Sequence, residues 1–189
     1  MKPYSNYQKG TPTQDAEKLP AGGYVIKILK AEEAVYPGGG SSLKLSFDIA
    51  EGEYKDFYKK NYDMQMEPKK WKGIYSFSIP NERTEERYRK AFESRIACIT
   101  ESNPGYEWDW NEAGLKNKTV GAVFGNQEYD FNGSHGFFTK CFGLREAQAI
   151  REGRFKTPKD RLLQQERKEY GDGNFMPVND SAEDDDMPF

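Results

Sequence analysis

The chain has 189 residues, 35% of them hydrophobic and 14% aromatic, which suits one packed domain with flanking segments better than two domains. Two cysteines, Cys98 and Cys141, with no C-x-x-C spacing and a single His135, exclude a disulfide scaffold and a zinc site and point to a reducing, cytoplasmic compartment. The net charge of -3 hides a division: residues 164–189 carry two basic and eight acidic side chains, a net of -6, and the rest of the chain is net +3. A mildly basic body with an anionic arm suits a phosphate-binding protein better than a uniformly acidic one.

Residues 1–17 are polar, with no apolar run for a signal peptide or membrane span, and are expected to be a flexible N-terminal segment. Order is expected from 18 to 163. Tyr24-Val25-Ile26-Lys27-Ile28-Leu29-Lys30 has strand composition, with Tyr24, Ile26 and Ile28 on one face and Lys27 on the other. Gly38, Gly39 and Gly40 form a soft loop, but no Gly-Lys-Ser/Thr follows to make it a phosphate loop. Leu43, Leu45, Phe47 and Ile49 alternate with Lys44, Ser46 and Asp48, the clearest strand in the sequence. After the break at Glu51-Gly52-Glu53, Phe57 to Tyr62 is expected to return as a third, antiparallel strand. Residues 63–80 show no clean period.

A helix is expected next. Thr84 is the candidate N-cap, Glu85 and Glu86 fill the first turn, and Tyr88, Ala91, Phe92, Ile96 and Ile99 form an apolar stripe. Ser102-Asn103-Pro104-Gly105 ends it, and Asp109–Gly114 adds a short helical turn. Val120, Ala122 and Phe124 alternate as a fourth strand, with Gly121 and Gly125 where a barrel strand would bend. Asn132-Gly133 is a hairpin signal before a fifth strand from Gly136 to Phe142, and Arg145–Glu152 reads as a short helix. The expected fold is therefore mainly β: a five-stranded OB-fold-like barrel with one helix between strands 3 and 4. An α+β sandwich has nearly the same element count and stays open.

The last 26 residues, 164–189, have too little apolar surface to fold alone and are expected to be a disordered acidic tail. Their tip, Asp184-Asp185-Asp186-Met187-Pro188-Phe189, pairs an acidic run with an apolar end, which a pocket with a basic rim could hold. A purely solubilising terminus is the plain alternative, but it has no use for a terminal aromatic.

Single-strand binding without sequence reading needs lysines along the phosphates and rings on which bases stack. Two stretches interleave these groups: Tyr58-Lys59-Lys60-Asn61-Tyr62, and Lys69-Lys70-Trp71-Lys72 with Tyr75 nearby. In an OB-fold, Lys27, Lys44, the Gly38–Gly40 loop and Tyr129 and Phe131 would join the same groove. Ordinary packing is the competing role for each ring, and a solvated surface for each lysine. Trp108 and Trp110 sit beside Glu107, Asp109 and Glu112, which would repel phosphate, and are assigned to packing. Catalysis is not expected. The only dense carboxylate cluster is the tail, which has no rigid frame for a metal; His135 has no evident nucleophile, and Cys98 lies on the apolar stripe. No cofactor or metal is expected.

Two resemblances carry the reading further. The segments Lys18–Tyr24, Phe47–Tyr54, Trp71-Lys72-Gly73, Glu101–Tyr106 and Lys116–Gly121 resemble a family of small phage proteins of Gram-positive hosts, associated with single-stranded DNA binding and recombination. The likeness spans about 17–163 and implies an OB-type barrel that protects unpaired strands in the host bacterial cytoplasm. The tip is similar to the acidic end of bacterial single-stranded DNA-binding proteins, with Met187 where that family usually has Ile. It implies recruitment of replication or recombination enzymes; no membrane partner is expected, and a homo-oligomer stays open. The rival function is an interaction module or decoy whose tip occupies partner pockets without touching DNA. A preference for duplex or RNA is a third reading.

Overall fold

The computed structural model describes residues 17–163. The expected flexible segment 1–17, apart from Glu17, and the whole tail with its 184–189 tip lie outside the described residues. Five strands form one antiparallel sheet: β1 (Gly22–Val35), β2 (Ser41–Ile49), β3 (Ile74–Ile79), β4 (Thr119–Phe131) and β5 (Ser134–Arg145). They lie in the order β3-β2-β1-β4-β5, so β3 and β5 are the two edges. Helix α1 (Phe57–Met64) links β2 to β3, and α2 (Glu86–Glu101) with a 3-10 turn (Glu112–Leu115) links β3 to β4. Helix α3 (Ala147–Arg151) follows β5.

The alternation of β2 does what its sequence implies on one face: Leu43, Leu45, Phe47 and Ile49 are buried with Ile26 and Ile28 of β1 and Val120, Ala122 and Phe124 of β4. Phe92, Ile96 and Ile99 of α2 close this core. Tyr88 does not share their burial; it is exposed, with the Arg87 guanidinium over its ring at 4.5 Å. Thr84 is not the N-cap. Glu85 takes that place, while the Thr84 hydroxyl accepts the Asn81 N–H within the preceding turn. At the other end Asn103 donates to the carbonyls of Ile99 and Thr119 and accepts the Thr119 N–H, tying the end of α2 to β4.

The opposite face of the sheet is covered over β1 and β4 by α3, where Val25, Val123, Ala147 and Ile150 cluster with Ala50 and Phe155. Gly121 permits this contact, since a Cβ there would lie 2.6 Å from the Glu146 carbonyl oxygen and from Ile150. Asn132 and Gly133, both at positive φ (49° and 78°), make the hairpin turn between β4 and β5.

The third strand is not where the sequence placed it. Phe57–Tyr62 belongs to helix α1, and β3 lies at Ile74–Ile79. The decisive group is Asp48, which points away from the main core face yet is buried rather than solvated. Its carboxylate accepts the backbone N–H of Ile49 (2.8 Å), Tyr58 (2.9 Å) and Lys59 (2.9 Å), so β2 caps the first turn of α1. Burial pushes this carboxyl above the usual carboxylate range, against the opposing pull of the three N–H groups. The chain then returns through Gly73, whose added Cβ would meet the Phe47 carbonyl oxygen at 2.2 Å and the Tyr58 ring at 2.9 Å. Gly73→Ala should therefore cost about 2–3 kcal/mol by overpacking against backbone; denaturant unfolding that shows no loss would contradict this contact.

Candidate nucleic-acid interface

Folding brings the two lysine and aromatic stretches, separated in sequence, into one surface patch. Tyr62 on α1 and Trp71 on the returning segment are half-buried, with ring centroids 5.7 Å apart and planes tilted by 51°. The Lys69 ammonium lies 5.6 Å from the Tyr62 centroid and donates to the Asp63 carbonyl. Trp71 is held by its indole N–H, shared between the carbonyl oxygens of Phe47 (3.2 Å) and Gly73 (3.1 Å). Lys70 is placed by its backbone N–H on the Gln65 side chain (2.8 Å). Lys59, Lys60, Lys70 and Lys72 are exposed, and Lys59 pairs with Asp63 one helical turn on (2.7 Å). Such a pair in solvent contributes little to stability. Met64 and Met66 are also exposed, and sequence reading had not singled them out.

Two expected stacking rings are not available. Tyr58 is only 8% exposed and packs edge-on against Phe47 and Phe57; burial drives its hydroxyl pKa well upward. On α1 Tyr58 goes into the core and Tyr62 to its rim. Tyr75 is equally buried, on the core face of β3 opposite Leu45, with its hydroxyl accepting from Arg95 Nε (2.9 Å). Both tyrosines belong to the core.

The sheet supplies a second set of groups on the face opposite the core. Lys44 is half-buried between Glu32 of β1 and Ser76 of β3, and exposed Lys27 stands opposite Asp48. Lys30 pairs with Glu32, so this face is mixed in charge. The Gly38–Gly40 loop is exposed at the β1–β2 turn. On the β4–β5 hairpin, Tyr129 folds over Gly136 with Phe138 at 6.3 Å, while Phe131 is exposed. Phe137, also exposed, was missed although Phe137-Phe138 lies directly after the hairpin signal. Of the two tryptophans assigned to packing, Trp108 does pack against the core, but Trp110 is 67% exposed.

Cys141 is buried and its pKa is pushed up to about 12 by desolvation, and burial likewise raises that of Cys98. No helix among the described residues is long and apolar enough to cross a membrane. No family model matches the chain, and no curated protein matches it.

Proposed function

We propose that this protein binds single-stranded DNA without reading its sequence, through the patch formed by α1 and residues 65–72. The observation that carries the reading is the Tyr62–Trp71 ring pair with Lys69 over Tyr62, on the same two segments that carry the exposed Lys59, Lys60, Lys70 and Lys72. Rings of this kind accept any base, and exposed ammonium groups follow any phosphate run. Lys27 and Lys44 lie on the mixed-charge sheet face and are the secondary candidates for phosphate contact. The strand order β3-β2-β1-β4-β5, with α2 between β3 and β4, supports an OB-type barrel open between β3 and β5.

The resemblance of 17–163 to phage single-stranded DNA-binding proteins favours DNA as the ligand and phage replication or recombination as the setting. The protein then acts without catalysis, shielding unpaired strands. The tip Asp184–Phe189 recruits replication or recombination enzymes. Mobility-shift assays with labelled oligo-dT, competed by duplex DNA and by RNA, test the ligand class. Oligo-dT alone should compete fully, and Tyr62→Ala should weaken binding by about 1–3 kcal/mol, the worth of one stacked base. Equal competition by duplex would count against the reading.

A further inference from the structure

A second surface feature lies between α2 and the segment after it. Pro80, Phe92, Ile96, Trp108 and Trp110 line a groove of about 430 Å³. Trp110 is its exposed wall, although the ring stacks on Phe92, centroids 5.8 Å apart and planes within 14°. Its backbone is held at φ 64°, a left-handed conformation that is costly for a bulky side chain. The loop around it is fixed by Asp109, which accepts the Asn111 N–H (3.1 Å), and by the Asn111 side chain, which accepts the Ala113 N–H (3.1 Å). A large ring held rigidly with part of its surface in solvent is the kind of anchor on which protein interfaces are built.

The groove carries both signs of charge. Arg89 and Glu93 lie one turn apart on the outer side of α2, Glu82 lies on the turn before it, and all three are exposed. Their side chains make no ion pair or hydrogen bond among the described residues, while the neighbouring Arg87–Glu85 (3.0 Å) and Lys90–Glu86 (2.6 Å) do pair. A cation placed one turn before an anion is the weaker order for pairing along a helix, which leaves both groups open to a partner. A ligand of one sign satisfies only part of this surface: the glutamates repel phosphate, and the arginine repels a basic peptide. A second copy of the same surface matches both signs.

We propose that this groove is a self-association surface, across which two copies of the chain pack their α2 helices antiparallel about a two-fold axis. Arg89 of each copy then faces Glu93 of the other, and symmetry makes every contact twice. For that pairing the axis passes level with residue 91, beside Phe92 and the Trp110 ring stacked on it. The two Trp110 rings therefore meet at the centre, where the strongest contacts of an interface concentrate, and the charge pairs flank them. Tyr88, exposed one turn before Phe92, lengthens the apolar strip. None of these residues belongs to the α1 patch, so each copy keeps its own Tyr62–Trp71 pair.

The test is sedimentation equilibrium of the full-length protein, without DNA, across the micromolar range. A reversible monomer–dimer equilibrium is expected. Trp110→Ala, Arg89→Glu and Glu93→Arg should each weaken it at least about tenfold, with urea unfolding to show that each variant is folded. The decisive sample is an equal mixture of Arg89→Glu and Glu93→Arg, in which one copy is acidic at both positions and the other basic. The mixture should dimerise to within about threefold of the parent affinity, and the recovery should shrink as salt rises. A chain that stays monomeric throughout the range overturns the proposal. So does a dimer that the single variants leave intact, or a mixture that associates no better than either variant alone. No oligonucleotide is present, so these outcomes are separate from the DNA reading.

Discussion

Asp48→Ala is expected to lower the free energy of unfolding by about 3–5 kcal/mol, the largest effect of any single change considered. The carboxylate accepts three backbone N–H groups at 2.8–2.9 Å in a buried site, and alanine leaves all three without an acceptor. Two of those donors, on Tyr58 and Lys59, open α1, whose own N-terminal residue Asp56 makes no side-chain cap and sits at φ 59°. An eight-residue helix does not hold in water on its own propensity. Losing the cap should therefore loosen α1, separate Tyr62 from Trp71 and weaken oligo-dT binding along with stability. Asn at this position keeps one acceptor oxygen and should recover part of both losses. Urea unfolding that shows a loss below about 1 kcal/mol for Asp48→Ala would mean that α1 does not depend on β2.

The second large effect concerns charge. Lys60→Glu/Lys70→Glu/Lys72→Glu should abolish measurable oligo-dT binding at physiological salt and weaken it on the order of 100-fold at low salt. Each phosphate contact on a single strand contributes about 0.7 to the slope of log affinity against log salt, so losing three should flatten it by about 2. All three side chains are exposed, and urea unfolding of the triple variant separates a binding loss from misfolding. Unchanged binding would move the interface elsewhere, with the sheet face around Lys44 and the β4–β5 hairpin as the next places to look.

Much of the sheet could be read from local pattern. Leu43 to Ile49 alternates without a break, Asn132-Gly133 admits few conformations besides a hairpin turn, and the Phe92, Ile96 and Ile99 spacing allows only a helix with one buried side. The third strand could not be placed so directly. Tyr58 and Tyr62 are four residues apart, a spacing that suits one face of a strand and one face of a helix equally. What selects the helix is Asp48, ten residues before Tyr58, acting through a contact that no local window contains. Ile74–Ile79 does alternate, with Tyr75 and Phe77 buried and Ser76 and Ser78 exposed, but the lysine-rich segment before it obscures where the pattern begins.

The candidate site was legible as a composition and not as a geometry. Lys60, Tyr62, Lys69, Lys70, Trp71 and Lys72 could be named because rings and ammonium groups interleave along the chain. Their union across α1 depends on the helix the sequence did not announce. Tyr75 and Tyr58 were drawn into the same set by proximity in sequence, yet burial in the core removes them from solvent. Tyrosine is ambiguous in this respect, since one ring can serve a core or a ligand and only its depth decides.

The most direct measurement is the fluorescence of Trp71, isolated in a Trp108→Phe/Trp110→Phe background, titrated with oligo-dT at several salt concentrations. Stacking and phosphate neutralisation together predict quenching, with an affinity that falls steadily as salt rises and a slope that the lysine variants flatten. A Trp71 signal that stays unchanged in dilute buffer, at oligonucleotide concentrations that saturate other single-strand binders, would contradict a role for this patch in holding DNA.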